Sequence, residues 1–294
     1  MSAQVKIESV TVRDALRGAM AQLHAARVPS HSLAAELLLM HALGHDRAWI
    51  YAHPEATIEE DAAKRLLGFV AKRASGVPTQ YLTGKQEFWG LDFEVTPAVL
   101  IPRPETEHVI EVAIERLGEQ RRREELRIAD VGTGSGCIAV ALAHELPGAK
   151  VLATDVSVAA LEVARRNADR QGVSQRIRFV QCDLLAGAAG EQPFDLIASN
   201  PPYVAQNEEA ALPREVREHE PREALYGGAT GIEIYSRLVE MAGRFLRVGG
   251  WLTLEIGYGA AGKICALFNA PWKGVCVTND LAGIARVISA QRQE

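Results

Sequence analysis

Asn200-Pro201-Pro202-Tyr203 is the stretch best equipped for chemistry. It follows Ser199 and the short apolar run Phe194 to Ala198, bounded by turn formers, which the pattern predicts to be a buried strand. Two prolines cannot donate to a sheet ladder, so the strand must stop at Asn200. The proline after Asn200 also drives that residue towards an extended backbone. The corner presents an amide side chain, proline carbonyls and an aromatic ring at the carboxyl end of a strand, where open α/β sheets bind ligands. The Asn200 side chain and the Pro201 backbone each offer a carbonyl acceptor, and Tyr203 offers a flat apolar face. A turn that merely ends a strand would account for an isolated Asn-Pro; the full tetrad after a buried strand is far more specific.

A second group lies upstream. Ile128-Ala129-Asp130-Val131 reads as a strand, followed by the loop Gly132-Thr133-Gly134-Ser135-Gly136 and a helix from Cys137. Glycine lets a ligand lie against bare backbone, and a helix N-terminus offers unpaired N–H groups. A dinucleotide fingerprint would need glycine where this chain has Cys137. The next strand, Lys150 to Thr154, ends in Asp155, about 20 residues past the loop, where a carboxylate can accept both ribose hydroxyl protons. A third, Arg176 to Gln181, ends at Cys182-Asp183-Leu184. Singly, Asp155 and Asp183 could be helix caps or surface acids. Acids closing two consecutive strands beside a glycine loop point to one binding edge.

The elements that must position these residues alternate strand and helix from Arg127 onward, which implies a mostly parallel sheet. After the tetrad come a charged segment, Glu208 to Gly231, expected as a mobile flap, a helix over Tyr235 to Leu246, and strands at Trp251–Ile256, Val275–Thr278 and Ala285–Ile288. Residues 104–294 therefore form one α/β domain with seven strands, whose first helix opens at Pro104 with Glu105 and Glu107 in its first turn. Residues 1–76 read as helices. Thr11 caps Val12, Leu16, Met20 and Leu23; a second helix runs from Ser32 to Gly44; a third opens at Thr57 and Glu60 in capping-box register and closes at Gly76. Lys64, Arg65, Lys72 and Arg73 on the third are either a solvated face or a docking surface for an acidic partner. Residues 77–103 read as a hairpin linker, with Gln80-Tyr81-Leu82 and Leu91 to Val95 flanking a turn at Trp89-Gly90.

Composition limits the function. A net charge of −5 argues against bulk nucleic acid as the main partner. Cys137, Cys182, Cys265 and Cys276 are scattered, without metal-ligand spacing, which favours reduced thiols and no metal. Lys6, Glu8, Arg13, Asp14 and Arg17 interrupt any signal-peptide core, and no apolar run spans a bilayer, so a soluble cytoplasmic protein is expected.

The order of these motifs resembles the class I, Rossmann-like fold of methyltransferases that use S-adenosylmethionine, and Asn-Pro-Pro-Tyr resembles the signature of those acting on planar nitrogens. Gln80-Tyr81-Leu82-Thr83-Gly84, Glu87-Phe88-Trp89-Gly90, Ile101-Pro102-Arg103-Pro104-Glu105-Thr106-Glu107 and Asp130 to Gly136 precede the tetrad. Glu220-Pro221 and Asp280-Leu281-Ala282-Gly283-Ile284-Ala285-Arg286-Val287 follow it. Together they are similar to the HemK/PrmC family, the N5-glutamine methyltransferases of peptide chain release factors, over the whole chain. The resemblance implies transfer of a methyl group to the glutamine of a Gly-Gly-Gln loop, leaving S-adenosylhomocysteine, and an N-terminal domain that helps hold the release factor. It carries cofactor binding onto Gly132, Thr133, Gly134, Ser135, Gly136, Asp155, Asp183, Leu184 and Asn200. Substrate binding falls on Asn200, Pro201, Pro202 and Tyr203. A monomer without direct nucleic-acid contact is expected. The rival is a DNA adenine-N6 or RNA base methyltransferase, which should carry a basic cleft and flip its base out. An adenosine-binding regulator is the non-enzymatic alternative.

Overall fold

The computed structural model describes residues 10–294; Lys6 and Glu8 lie outside them. The chain divides into two compact units, one built from residues 10–84 with Arg214–His219, the other from Lys85–Pro213 with Glu220–Glu294.

In the first unit, α1 (Val12–Ala25) starts at Thr11, whose hydroxyl accepts from the Asp14 N–H at 3.2 Å. Helix α2 (His31–Leu43) ends at Gly44 with φ 71°, and α3 (Arg47–Ala52), capped by Asp46, was not anticipated. Helix α4 (Glu60–Ala74) differs at its start. Thr57 bridges Thr11 as a strand-like pair, so it caps nothing, and the helix begins after Glu59 without a side-chain cap. The apolar stripes converge on Leu23, Leu38, Leu39, Leu66 and Val70, all buried. Each such leucine contributes about 1.5–3 kcal/mol by leaving water. Arg73 falls on the same stripe as Leu66 and Val70, so it is buried rather than exposed, and it pairs with Glu215 of the same unit. Lys64 pairs with Glu60, and Arg65 donates to the Ala42 carbonyl, leaving Lys72 as an exposed basic residue of the cluster. Gln80-Tyr81-Leu82 belongs to α5 (Thr79–Thr83), not to a strand. Pro78 precedes its first turn, and Gly84 (φ 71°) ends it in a left-handed conformation.

The second unit opens with a hairpin of β1 (Lys85–Phe88) and β2 (Leu91–Glu94). Trp89 and Gly90, with φ 56° and 69°, make its two-residue turn. Pro104–Thr106 is a single 3₁₀ turn that leads into α6 (Glu107–Leu117). Then β3 (Leu126–Val131), α7 (Cys137–Glu145), β4 (Ala149–Asp155), α8 (Val158–Arg170), β5 (Ile177–Gln181) and β6 (Phe194–Ser199) alternate. The segment expected as a flap is not structureless. It contains α9, the Arg214–His219 helix, α10 (Arg222–Leu225) and β8 (Tyr226–Gly228), which pairs with β7 (Val204–Ala205). Helix α11 (Glu233–Phe245), β9 (Leu246–Glu255), α12 (Ala261–Cys265), β10 (Trp272–Asn279) and β11 (Ala285–Arg292) complete it.

The main sheet has seven strands in the order β10-β11-β9-β6-β3-β4-β5. Strands β9, β6, β3, β4 and β5 run parallel; β11 is antiparallel to both of its neighbours. From β3 the chain builds outward through β4 and β5, then crosses to β6 on the other side. That reversal opens a crevice at the carboxyl ends of β3 and β6. One face is covered by α6, α7, α8 and the hairpin phenylalanines, the other by α11 and α12.

Candidate active site

The turns after β3, β4, β5 and β6 line one cavity. After β3, Gly132, Gly134 and Gly136 have φ of 72°, 54° and 83°, a region costly for any residue with a side chain. A Cβ on Gly132 or Gly134 would meet nothing within 4 Å, whereas one on Gly136 would stand 3.0 Å from the Ala164 Cβ. The first two leave open backbone for a ligand, and the third lets α8 approach. Asn167 of α8 ties the loop to the hairpin. Its Nδ2 donates to the carbonyls of Ser135 (2.9 Å) and Glu94 (3.0 Å), and its Oδ1 accepts from the Glu94 N–H at 2.7 Å. The Thr133 hydroxyl donates to Asp130 Oδ2 at 2.6 Å, which also accepts from the Ala139 N–H at 3.0 Å. Complete burial pushes the Asp130 carboxyl up to about 7.

At the end of β4, Asp155 accepts from the Gly134 N–H through Oδ2 and from the Ser157 N–H through Oδ1, both at 2.9 Å. Burial raises its pKa. A carboxylate has about four lone-pair directions, so two remain for hydroxyl protons. After β5, Asp183 is half exposed and pairs with Arg237. Leu184 has φ 51°, rare for leucine, which sets its side chain on the cavity wall.

After β6, Asn200 lines the cavity and its Nδ2 donates to the Thr106 hydroxyl at 3.0 Å. That hydroxyl donates in turn to Glu255 Oε2, at 2.5 Å. Burial pushes the Glu255 carboxyl up to about 7. Pro202 lines the cavity too, while Pro201 is buried behind it. Tyr203 is 37% exposed at the rim. Its ring lies on Gly257, where a Cβ would stand 2.8 Å from Cδ2. Across the opening, Arg103 pairs with the buried Glu220, and Pro221, Glu223 and Ala224 complete the wall.

Of the residues singled out in the sequence, the cavity brings together Gly132, Thr133, Gly134, Ser135, Asp155, Asp183, Leu184, Asn200 and Pro202; Gly136, Pro201 and Tyr203 stand outside its lining. Thr106, Glu255, Glu220, Gly257 and Asn167 were not anticipated in these roles. Glu255 had a signal, since it closes the strand beside β6 at the same sheet edge as Asp155. Among the described residues, no group of three or more His, Cys, Asp or Glu could hold a metal ion.

Residues 14–84 match the PrmC N-terminal domain, and residues 110–219 match the methyltransferase small domain. The release factor glutamine methyltransferase of Koribacter versatilis (strain Ellin345) is 44% identical over 283 residues, covering 96% of this chain and 99% of that protein. The chain belongs to the release factor glutamine methyltransferase family. The member from Moorella thermoacetica (strain ATCC 39073 / JCM 9320) is 45% identical over 97% of this chain and 100% of its own length. Solved structures with the same fold are more distant. The N-terminal domain of human METTL16 in complex with SAH has a TM-score of 0.52 at 20% identity, over 82% of this chain and 86% of that one. The T. thermophilus 16S rRNA N2 G1207 methyltransferase in complex with AdoMet and guanosine has a TM-score of 0.52 at 20% identity, over 71% and 50%. The fold is that of the class I S-adenosylmethionine-dependent methyltransferases, with a helical N-terminal region.

Proposed function

We propose that this enzyme transfers a methyl group from S-adenosylmethionine to the side-chain amide nitrogen of the glutamine in the Gly-Gly-Gln motif of peptide chain release factors. The products are N5-methylglutamine and S-adenosylhomocysteine. The observation that carries the reading is the Asn200-Pro201-Pro202-Tyr203 corner beside the glycine loop, in a chain that matches release factor glutamine methyltransferases along nearly its full length.

The residues present fit the cofactor. The open backbone of Gly132 to Ser135, the spare lone pairs of Asp155 and the apolar Leu184 suit an amino acid, a ribose and an adenine respectively. Asp183 is engaged by Arg237, which leaves it the weakest of these assignments. When bound there, S-adenosylmethionine supplies an electrophilic methyl group on a positively charged sulfur. A carboxamide nitrogen is a poor nucleophile, because its lone pair is delocalised into the carbonyl. Asn200 Oδ1 and the Pro201 carbonyl accept its two hydrogens, which fixes the amide plane so that the lone pair standing perpendicular to it faces the methyl carbon. Pro202 and Tyr203 narrow the slot. The methylated nitrogen is acidic and releases its proton to water, so no general base is needed.

The reading includes a division of labour: residues 1–76 dock the release factor, 77–103 link, and 104–294 transfer the methyl group. It includes a cytoplasmic monomer acting on protein rather than directly on nucleic acid, in keeping with the net charge of −5. Among the described residues no helix is long and apolar enough to cross a membrane. The base-methylating alternative is not favoured, since the relatives matching the whole chain are named for release factors. The test is transfer of labelled methyl from the cofactor to a purified release factor, compared with DNA and RNA. Label on the release factor, lost when its Gly-Gly-Gln glutamine is replaced by alanine, is the expected outcome; label on nucleic acid alone refutes the reading.

A further inference from the structure

The orientation of the Asn200 amide is set by a chain of two hydrogen bonds drawn from distant parts of the sequence. Thr106, 2% exposed, has one hydroxyl proton. It goes to Glu255 Oε2 at 2.5 Å, and an ionised carboxylate can only accept. The Thr106 oxygen is thereby left as an acceptor, and what it accepts is an N–H of Asn200, at 3.0 Å. Among the described residues, no hydrogen bond engages Asn200 Oδ1. We propose that Thr106 and Glu255 are positioning residues that lock the Asn200 side chain with its nitrogen towards Thr106 and its carbonyl oxygen towards the substrate amide. The proposal rests on the methyl-transfer reading above and adds to it the device that keeps the one useful face of Asn200 presented.

The device depends on the proton at Glu255. A protonated Glu255 can donate to the Thr106 oxygen, which frees the threonine proton for the Asn200 carbonyl. The amide then turns over, and two N–H donors face a substrate nitrogen that needs acceptors. Burial holds Glu255 up to about 7, so this exchange falls in the working pH range. The charged groups facing Glu255 are Glu105, Arg103 and Arg286, with Glu220 and Asp280 held on the two arginines. The phenol of Tyr203 and the thiol of Cys137 also face it, both raised by burial to about 12, as does the Tyr235 phenol, raised well above its ordinary value. These three keep one protonation state across neutral pH. Asp130 also titrates near 7, so the comparison must be made against a variant at position 255.

The experiment is single-turnover methylation of a release factor from pH 5.5 to 8.5 by the unaltered enzyme, Thr106→Val, Thr106→Ser and Glu255→Gln, with cofactor titrations and melting curves alongside. Thr106→Val keeps shape but removes the hydroxyl, and should lower the transfer rate roughly 10–100-fold, the scale of a misplaced reacting group. Its cofactor affinity should stay within about threefold, and Thr106→Ser should restore most of the rate. The unaltered enzyme should rise in rate between pH 6 and 8, and Glu255→Gln should lose most of that rise. A folded Thr106→Val enzyme with the unaltered rate sinks the proposal, and so does a Glu255→Gln profile that keeps the full rise. Either leaves the methyl-transfer reading standing if the unaltered enzyme labels the release factor and Asn200→Ala does not. If the unaltered enzyme labels no release factor, the reading and the proposal fall together.

Discussion

At one end of the cavity the wall is bare main chain; at the other it is side chains held by other side chains. Gly132 and Gly134 offer open backbone, and the anchor of their loop, Asp155, is only 21 positions from the Gly134 N–H that it accepts. The Asn200 end is assembled from residues 94 positions apart, in the Asn200–Thr106 bond, and 149 apart, in the Thr106–Glu255 bond. The first construction is tolerant, because left-handed glycines and a strand-end carboxylate form it locally. The second can aim an atom but fails at any link. A binding end needs the former and an orienting end the latter.

The largest expected effect is at the orienting end. Asn200→Ala removes one preorganised acceptor and should cost roughly 10²–10³ in the single-turnover rate. Cofactor affinity should change far less, which titration of the same variant checks. Normal turnover would show that the side-chain network has no part in the reaction. Next comes Asp155→Ala, expected to weaken cofactor binding by about 1.5–3 kcal/mol, the worth of hydrogen bonds to a charged group. Calorimetry giving unchanged affinity would remove Asp155 from the site and dissolve the contrast between the two ends.

The same difference explains what could be read from the chain. Asp130 to Gly136, Asp155 and the tetrad are local patterns at strand ends, so the seven-stranded sheet and the cavity at its strand ends were legible. Glu255 was within reach of the same rule, as an acid closing a buried strand. Thr106 was not, because its partners come together only in the fold, and its motif reads equally well as helix capping. The φ of 51° at Leu184 has no signature in a leucine. Short helices hid for another reason: Arg47–Ala52 and Thr79–Thr83 are too brief to show a helical period. For the second, Pro78 and Gly84 were the available signal. Arg73 is buried despite its charge, because its spacing from Leu66 and Val70 puts it on the same stripe of the helix.

A smaller effect is expected at the floor under Tyr203. Gly257→Ala would set a methyl 2.8 Å from the Tyr203 Cδ2 atom, and the ring must move. Overpacking of this kind costs about 1–3 kcal/mol, partly relieved here because the ring is at the rim. The expected result is roughly a tenfold fall in kcat/KM for the release factor with unaltered cofactor affinity. Equal losses in both would mean that Gly257 supports the whole cavity rather than the substrate slot.

The smallest effect on binding should come from a residue inside the glycine loop itself. Thr133 lines the cavity, yet its hydroxyl turns away to bond Asp130 at 2.6 Å, so Thr133→Val should leave cofactor affinity within about twofold. Its cost is to the fold, and it should depend on pH. Burial raises Asp130 from 3.8 to about 7 in the native state. The native protein therefore holds the proton that the unfolded chain has lost across that window, and stability falls as pH rises through it. Thr133 opposes the fall by donating to the ionised form. At pH 5, where Asp130 keeps its proton, Thr133→Val removes a bond between neutral groups, worth about 0.5–1.5 kcal/mol. At pH 8 it removes a bond to a charge, worth about 1.5–3 kcal/mol, and extends the window upward. Denaturant unfolding of both proteins at the two pH values measures the difference. A penalty that is the same at both would show that Asp130 does not titrate there. A loss of cofactor affinity as large as that of Asp155→Ala would show that loop side chains, not bare backbone, hold the ligand.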